Sequence, residues 1–157
     1  SCSLDISETS RIKDMLGLLS LYFDKPLILI NSHLDKQTKQ MVCGYALGHY
    51  LEHQLLMDLH TLNKFLTIKD KHILLYEHNA FTSHLMLDSD EVYQMTKRGL
   101  DAAQISVAKR IHLNLVMVKL LELHHLGYDL RHYHAQHHAF INQFNLPAHF
   151  QFDVAAG

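Results

Sequence analysis

Cysteine is scarce in this 157-residue chain: Cys2 and Cys43 are the only two. One lies in a polar N-terminal stretch and the other inside an apolar helical pattern. That argues against a disulfide framework and for reduced thiols in a cytoplasmic setting. Long apolar runs are missing as well. Leu27 to Ile30, and Leu113 to Leu121 with its Asn and Lys, fall short of the roughly 20 residues that cross a bilayer, so no membrane role is expected. Nor is there an excess of basic charge. The formal net charge is −2 at pH 7 with histidine neutral, which removes the global electrostatic ground for nucleic-acid binding. The chain opens Ser-Cys-Ser with no basic segment leading into an apolar one, so no signal peptide is expected. No internal repeat or low-complexity linker divides it.

What is present points to a globular fold. Hydrophobic residues make up 48% and charged residues 19%, too apolar for disorder. A chain of this length buries most of its apolar surface around one core, so residues 1–157 are expected to form a single domain. Histidine is over-represented, with 15 copies. His124, His125, His132, His134, His137 and His138 would suit zinc, copper or nickel, but imidazoles on solvated helix faces explain them more simply.

Periodicity and turn chemistry set out the elements. Residues 1–14 read as an irregular lead-in or a short helix. Two apolar, β-leaning runs, Leu16 to Phe23 and Leu27 to Asn31, flank Asp24-Lys-Pro and predict a hairpin. Asp35 is a candidate N-cap for a long helix to about Leu59. A polar, loop-like stretch leads to a second helix from about Ile73 to Leu87. A short helix over Asp90 to about Arg98 ends at Gly99, and two more run over Asp101 to Ile111 and Leu115 to His125, closed by Gly127. A His-rich helix, Asp129 to about Phe144, and a tail after Pro147 complete residues 128–157. The 101–123 segment has helix-turn-helix rhythm, but its second helix is apolar almost all round with Lys119 as its basic side chain. It reads as core packing, and direct nucleic-acid binding is not expected. Cys43 reads as a small buried hydrophobe, since no basic partner stands beside it.

The chemically informative segment is Gly44-Tyr-Ala-Leu-Gly-His49-Tyr-Leu-Glu52-His53. A zinc peptidase helix places two His at i and i+4, about 40° apart around the axis, so that both imidazoles reach one ion while a Glu beside the first polarises water. His49 occupies the second-His position of that layout. Tyr45 stands at the first, and Ala46 at the position of the base. A phenol with a pKa near about 10 is a poor ligand, and a methyl group transfers no proton.

The stretch Ile28 to Leu51, with Ile-Asn ahead of a helix carrying Tyr-Ala-Leu-Gly-His-Tyr, resembles the ImmA/IrrE family of metallopeptidases, where that helix carries His-Glu-Leu-Gly-His-Tyr. A second block, Glu77-His-Asn-Ala-Phe-Thr-Ser-His-Leu-Met-Leu, resembles the family's Glu-Ala-Asn-Ala-Phe-Ala-Ala-Glu-Leu-Leu-Met. Ala102 to Leu123 is similar to the helical segment that follows, and the likeness spans about residues 16–125. It implies an α+β, mostly helical fold: a zincin-like core with a small β-hairpin or sheet packed on about six helices. It also implies that His49 is a metal ligand and Glu77 the carboxylate ligand from the next helix. With Tyr45 and Ala46 in the other slots, no catalytic residue is expected at the family's position.

Two functional expectations lead, ahead of a third in which the domain is an oligomerisation or scaffold module of a larger assembly. The first is a pseudo-peptidase in a bacterial or phage cytoplasm, binding a regulator such as a phage or mobile-element repressor without cutting it and needing no cofactor. The second is an active zinc endopeptidase, because His49-Tyr-Leu-Glu52-His53 matches the inverted His-x-x-Glu-His signature. In that case His49, His53 and Glu77 would hold zinc and Glu52 would be the base. His53 is also common in the ImmA/IrrE pattern beside an intact motif, so its presence demands no new chemistry.

Overall fold

The computed structural model describes residues 4–23, 25–56, 66–68 and 76–130. In chain order the elements are β1 (Asp5–Thr9), β2 (Gly17–Tyr22), β3 (Lys25–Asn31), α1 (Lys36–Leu56), β4 (Leu66–Ile68), α2 (Tyr76–Met86), α3 (Ser89–Lys97), α4 (Ala102–Lys109) and α5 (Leu113–His125). The α+β, mostly helical architecture of the zincin-like type is what the sequence predicts. Five helices fall among the described residues, and the predicted His-rich helix lies outside them beyond Leu130.

β2 and β3 form the expected hairpin, pairing antiparallel from Gly17 opposite Ile30 to Tyr22 opposite Lys25. The sheet is larger than a hairpin, with four strands in the order β1-β3-β2-β4. β1 runs parallel to β3, Asp5 opposite Leu27 and Thr9 opposite Asn31, where the sequence suggested an irregular lead-in. Its side chains are exposed except for a half-buried Thr9, so no apolar alternation marks it and the backbone ladder alone defines it. β4 joins β2 antiparallel within the stretch that reads as a polar loop, and three residues are too few to show a period.

Alternation within β3 sends Pro26, Ile28 and Ile30 inward. Ile28 and Ile30 pack with Leu19 of β2 against Val42, Tyr45, Ala46 and Tyr50 of α1. Met41 belongs instead to the helical core, with Leu87, Val92, Ile105, Leu115, Val116 and Leu123. α1 therefore sits between the sheet and the helical layer. At its head, buried Asn31 ties three segments together. Its side-chain amide donates to the carbonyls of Ile12 (3.1 Å) and Met15 (2.9 Å), and its oxygen accepts from the His33 backbone N–H at 3.0 Å.

Caps fix the helix starts. The Asp35 carboxylate accepts from the N–H groups of Gln37 (2.9 Å) and Thr38 (3.0 Å), Asp88 accepts from Glu91, and Asp101 and Gln104 close a reciprocal capping box. Gly99 and Gly127 follow α3 and α5 with φ of +86° and +89°, the left-handed conformation that suits glycine at helix ends. In α5 no residue from Leu115 to Leu123 is exposed. Lys119 itself is buried, its Nζ 2.8 Å from His84 Nδ1, and His84 Nε2 is paired with Glu122 at 3.1 Å. Tyr76 donates its phenol to the same glutamate.

α2 lies unusually close to α1 where α1 carries Gly44. A Cβ there would meet Thr82 Cγ2 at 2.3 Å. Gly44→Ala is expected to lower the unfolding free energy by about 1–3 kcal/mol in a denaturant titration, the usual cost of overpacking. Thr82→Ser, which removes the nearest methyl, should recover part of that loss.

Hydrogen bonds to the Asp35 carboxylate, first from the Thr38 hydroxyl and then from its N–H, hold its pKa below the ordinary value. A depressed folded-state pKa means that this stabilisation is complete above the ordinary carboxylate range and is lost as pH falls through the folded value. Asp35→Ala should cost about 1 kcal/mol at neutral pH. Asp35→Asn should keep most of the cap while flattening the acid limb of the stability profile, read by urea unfolding across acidic pH.

Candidate metal centre on α1 and α2

One helical face of α1 carries the chemistry. Tyr45, His49 and Glu52 follow at intervals of four and three, so they line the same side of the helix, one above the other. Glycines at 44 and 48 keep that side shallow. A Cβ on Gly48 would come within 2.9 Å of Phe81 Cδ1 and 3.6 Å of His78 Cδ2, so α2 settles near enough for His78 to reach across.

There, three side chains converge. His78 Nε2 lies 2.9 Å from Glu52 Oε2 and 3.4 Å from His49 Nδ1, and the ligand atoms of all three lie within 4.8 Å of one another. His78 is the buried member, with its side chain 9% exposed, while that of Glu52 is 45% exposed. The cluster is thus closed on the His78 side and open to solvent on the Glu52 side. Two imidazole nitrogens and a carboxylate are a donor set that suits zinc and neighbouring divalent ions.

The positions singled out from sequence fall as follows. His49 and Glu52 come together. Glu77, the carboxylate ligand implied by the resemblance, is exposed in the first turn of α2, and the side chain meeting His49 belongs to its neighbour His78. His53 is within α1, but its side chain lies outside the described residues. His78 escaped sequence reasoning. Its signal was present all the same, as a histidine where the resembled block has alanine.

Ala46 packs on the sheet side of α1, and Tyr45 lies at the border between that side and the face shared by His49 and Glu52. They are 1% and 0% exposed, inside the cluster of Leu19, Ile28, Ile30, Val42 and Tyr50. The Tyr45 ring stands 4.8 Å from the His78 ring, tilted by 51°. Burial, with the nearby Glu52 charge adding to it, pushes its phenol up to about 12, so it stays protonated at neutral pH. Cys43, half-buried, has its thiol pushed up by burial, in keeping with a packing role and not with a nucleophile.

The environment of Ala46 makes a direct prediction. Ala46→Glu inserts a carboxylate with no partner into the sheet-side core and should lower stability by about 3 kcal/mol or more. His49→Ala, at a half-buried position open to solvent, should cost only about 1 kcal/mol. Parallel thermal and urea unfolding of the two variants checks the contrast.

No curated protein matches the chain. The IrrE N-terminal-like domain, which is a peptidase domain, matches it over residues 8–120. That match takes in the sheet-to-helix entry at Asn31, the whole of α1 and α2, and most of α5. It also starts upstream of the likeness read from sequence, within β1. With its metallopeptidase-like core and its His and Glu side chains gathered between the two central helices, the chain belongs to the IrrE N-terminal-like domain family.

Proposed function

We propose that the protein is a catalytically degenerate metallopeptidase-like protein that binds a protein regulator, such as a phage or mobile-element repressor in a bacterial cytoplasm, without cutting it. The observation that carries this reading is the burial of Tyr45 and Ala46 at the two slots where the family's motif places a ligand and a base. In that motif, zinc supplies Lewis acidity to a water molecule. The residues here do not fit it: a phenol held protonated replaces an imidazole, and a methyl packed against β3 replaces the proton acceptor. No hydrolytic step can be written through those positions.

Binding outlasts the loss of such a centre. A surface shaped for an extended chain can hold one by strand addition and side-chain pockets, and among the described residues the outer strands of the sheet are β1 and β4. The second reading, zinc-dependent hydrolysis through His49, His53 and Glu77 with Glu52 as base, draws support from the nearness of His49 and Glu52. It needs the Glu52 carboxylate free to accept a proton, whereas that carboxylate is engaged with His78.

A direct test mixes the untagged protein, with and without zinc, with a panel of helix-turn-helix repressors of phages and mobile elements. A stable complex by size exclusion with light scattering, and a repressor of unchanged mass, is the expected result. Zinc-dependent cleavage that His49→Ala abolishes would refute the reading, as would no complex at about 100 μM of each protein, beyond which an interaction is too weak to be specific.

A further inference from the structure

We propose that His49, Glu52 and His78 form a transition-metal site of their own, displaced along α1 toward its C-terminal end, and that its ion clasps α1 to α2 without serving hydrolysis. The proposal goes beyond the pseudo-peptidase reading and does not depend on it.

Geometry carries it first. Two ligands at about 2.0–2.1 Å on a tetrahedral zinc-class ion sit about 3.3–3.4 Å apart. His49 Nδ1 and His78 Nε2 are 3.4 Å apart, which is ligand spacing and long for a hydrogen bond. Glu52 Oε2 is nearer to His78, at 2.9 Å. Its exposed side chain can open by a few tenths of an ångström to admit an ion between them.

Proton accounting points the same way. With both histidines neutral, the His78 Nε2 proton satisfies Glu52, and the only role left for His49 Nδ1 toward the same point is as a second acceptor. Two acceptors, His49 Nδ1 and Glu52 Oε2, then face the one proton on His78 Nε2. A divalent cation serves all three at once, with the imidazoles as neutral ligands and the carboxylate as the charged one.

The chain also sets the strength and the role of the site. A metal on His78 Nε2 puts the ring proton on Nδ1, and that atom is buried with no hydrogen-bond partner among the described residues. Metal-ligating histidines ordinarily donate that proton to an acceptor, and loss of such a partner weakens affinity by roughly 10–100-fold. Micromolar rather than nanomolar binding is the consequence. A Glu52 committed as ligand is no longer a base, so the ion joins two helices and takes up the one carboxylate that this face of α1 presents among the described residues.

The experiment uses untagged protein stripped with a chelator, then titrated with zinc in a calorimeter and with cobalt(II) in a spectrophotometer. Wild type should take about one ion per chain at micromolar concentration, show the visible bands of low-coordinate cobalt, and melt at a higher temperature with zinc present. Glu52→Gln, an exposed and conservative change, should weaken binding about tenfold or more and remove the cobalt bands, and so should His78→Ala, with circular dichroism confirming its fold. His33→Ala, an exposed histidine elsewhere, should behave as wild type. Equal binding by wild type and Glu52→Gln would overturn the proposal, because the ion would then sit among other histidines. So would no binding by wild type at about 100 μM zinc, far above the expected affinity. Either failure leaves the pseudo-peptidase reading intact, whereas zinc-dependent repressor cleavage would sink that reading and also the claim that this ion takes no part in hydrolysis, even if the binding results held.

Discussion

Two helices can pack closely only where the side chains between them are small, and α1 meets that condition at Gly44 and Gly48. The first lets Thr82 sit where any β-carbon would collide, and the second leaves room for Phe81 and the edge of the His78 ring. Both lie on the face that also presents His49 and Glu52. The nearness of α2 is therefore what turns three separate polar residues into one cluster. With larger side chains at 44 and 48, α2 would stand off and His78 would have nothing to meet.

Where α1 meets the sheet, the two slots that differ from the resembled motif are packing positions. Tyr45 and Ala46 belong to the same apolar cluster as the inward residues of β2 and β3. A phenyl ring and a methyl group there add burial worth on the order of 25 cal/mol per Å2, where a ligand and a base would have needed polar partners. With Tyr45 and Ala46 there, that part of the helix is ordinary packing.

Much of this was legible in the sequence. The hairpin, the long central helix and the short ones were readable because their signals are local: Asp at the N-caps, glycine at the ends of α3 and α5, and apolar spacing between. His49 and Glu52 entered the same reading only through the inverted His-x-x-Glu-His signature, with Glu52 as a base and not as a ligand. β1 was hidden because its side chains face solvent and a parallel ladder to β3 is a tertiary fact, set by backbone groups that every residue carries. β4 was hidden by brevity. His78 was missed for a different reason. The resemblance directed attention to Glu77 beside it, and a single residue step along a helix rotates a side chain by about 100°, enough to separate an exposed carboxylate from a buried imidazole.

The enclosure of α5 bears on how this sequence can vary. From Leu115 to Leu123 every position touches the interior or its margin, and one of them is a cation, Lys119, seated against His84 and near Glu122. Neutral drift has little room there. A change in size at an apolar position leaves a void or a clash, and replacing the lysine strands polar groups that rely on it. Substitutions should accumulate instead on α3 and α4, whose outer faces include the largely bare Val107. Their turnover would leave the centre of the helical layer almost unaltered.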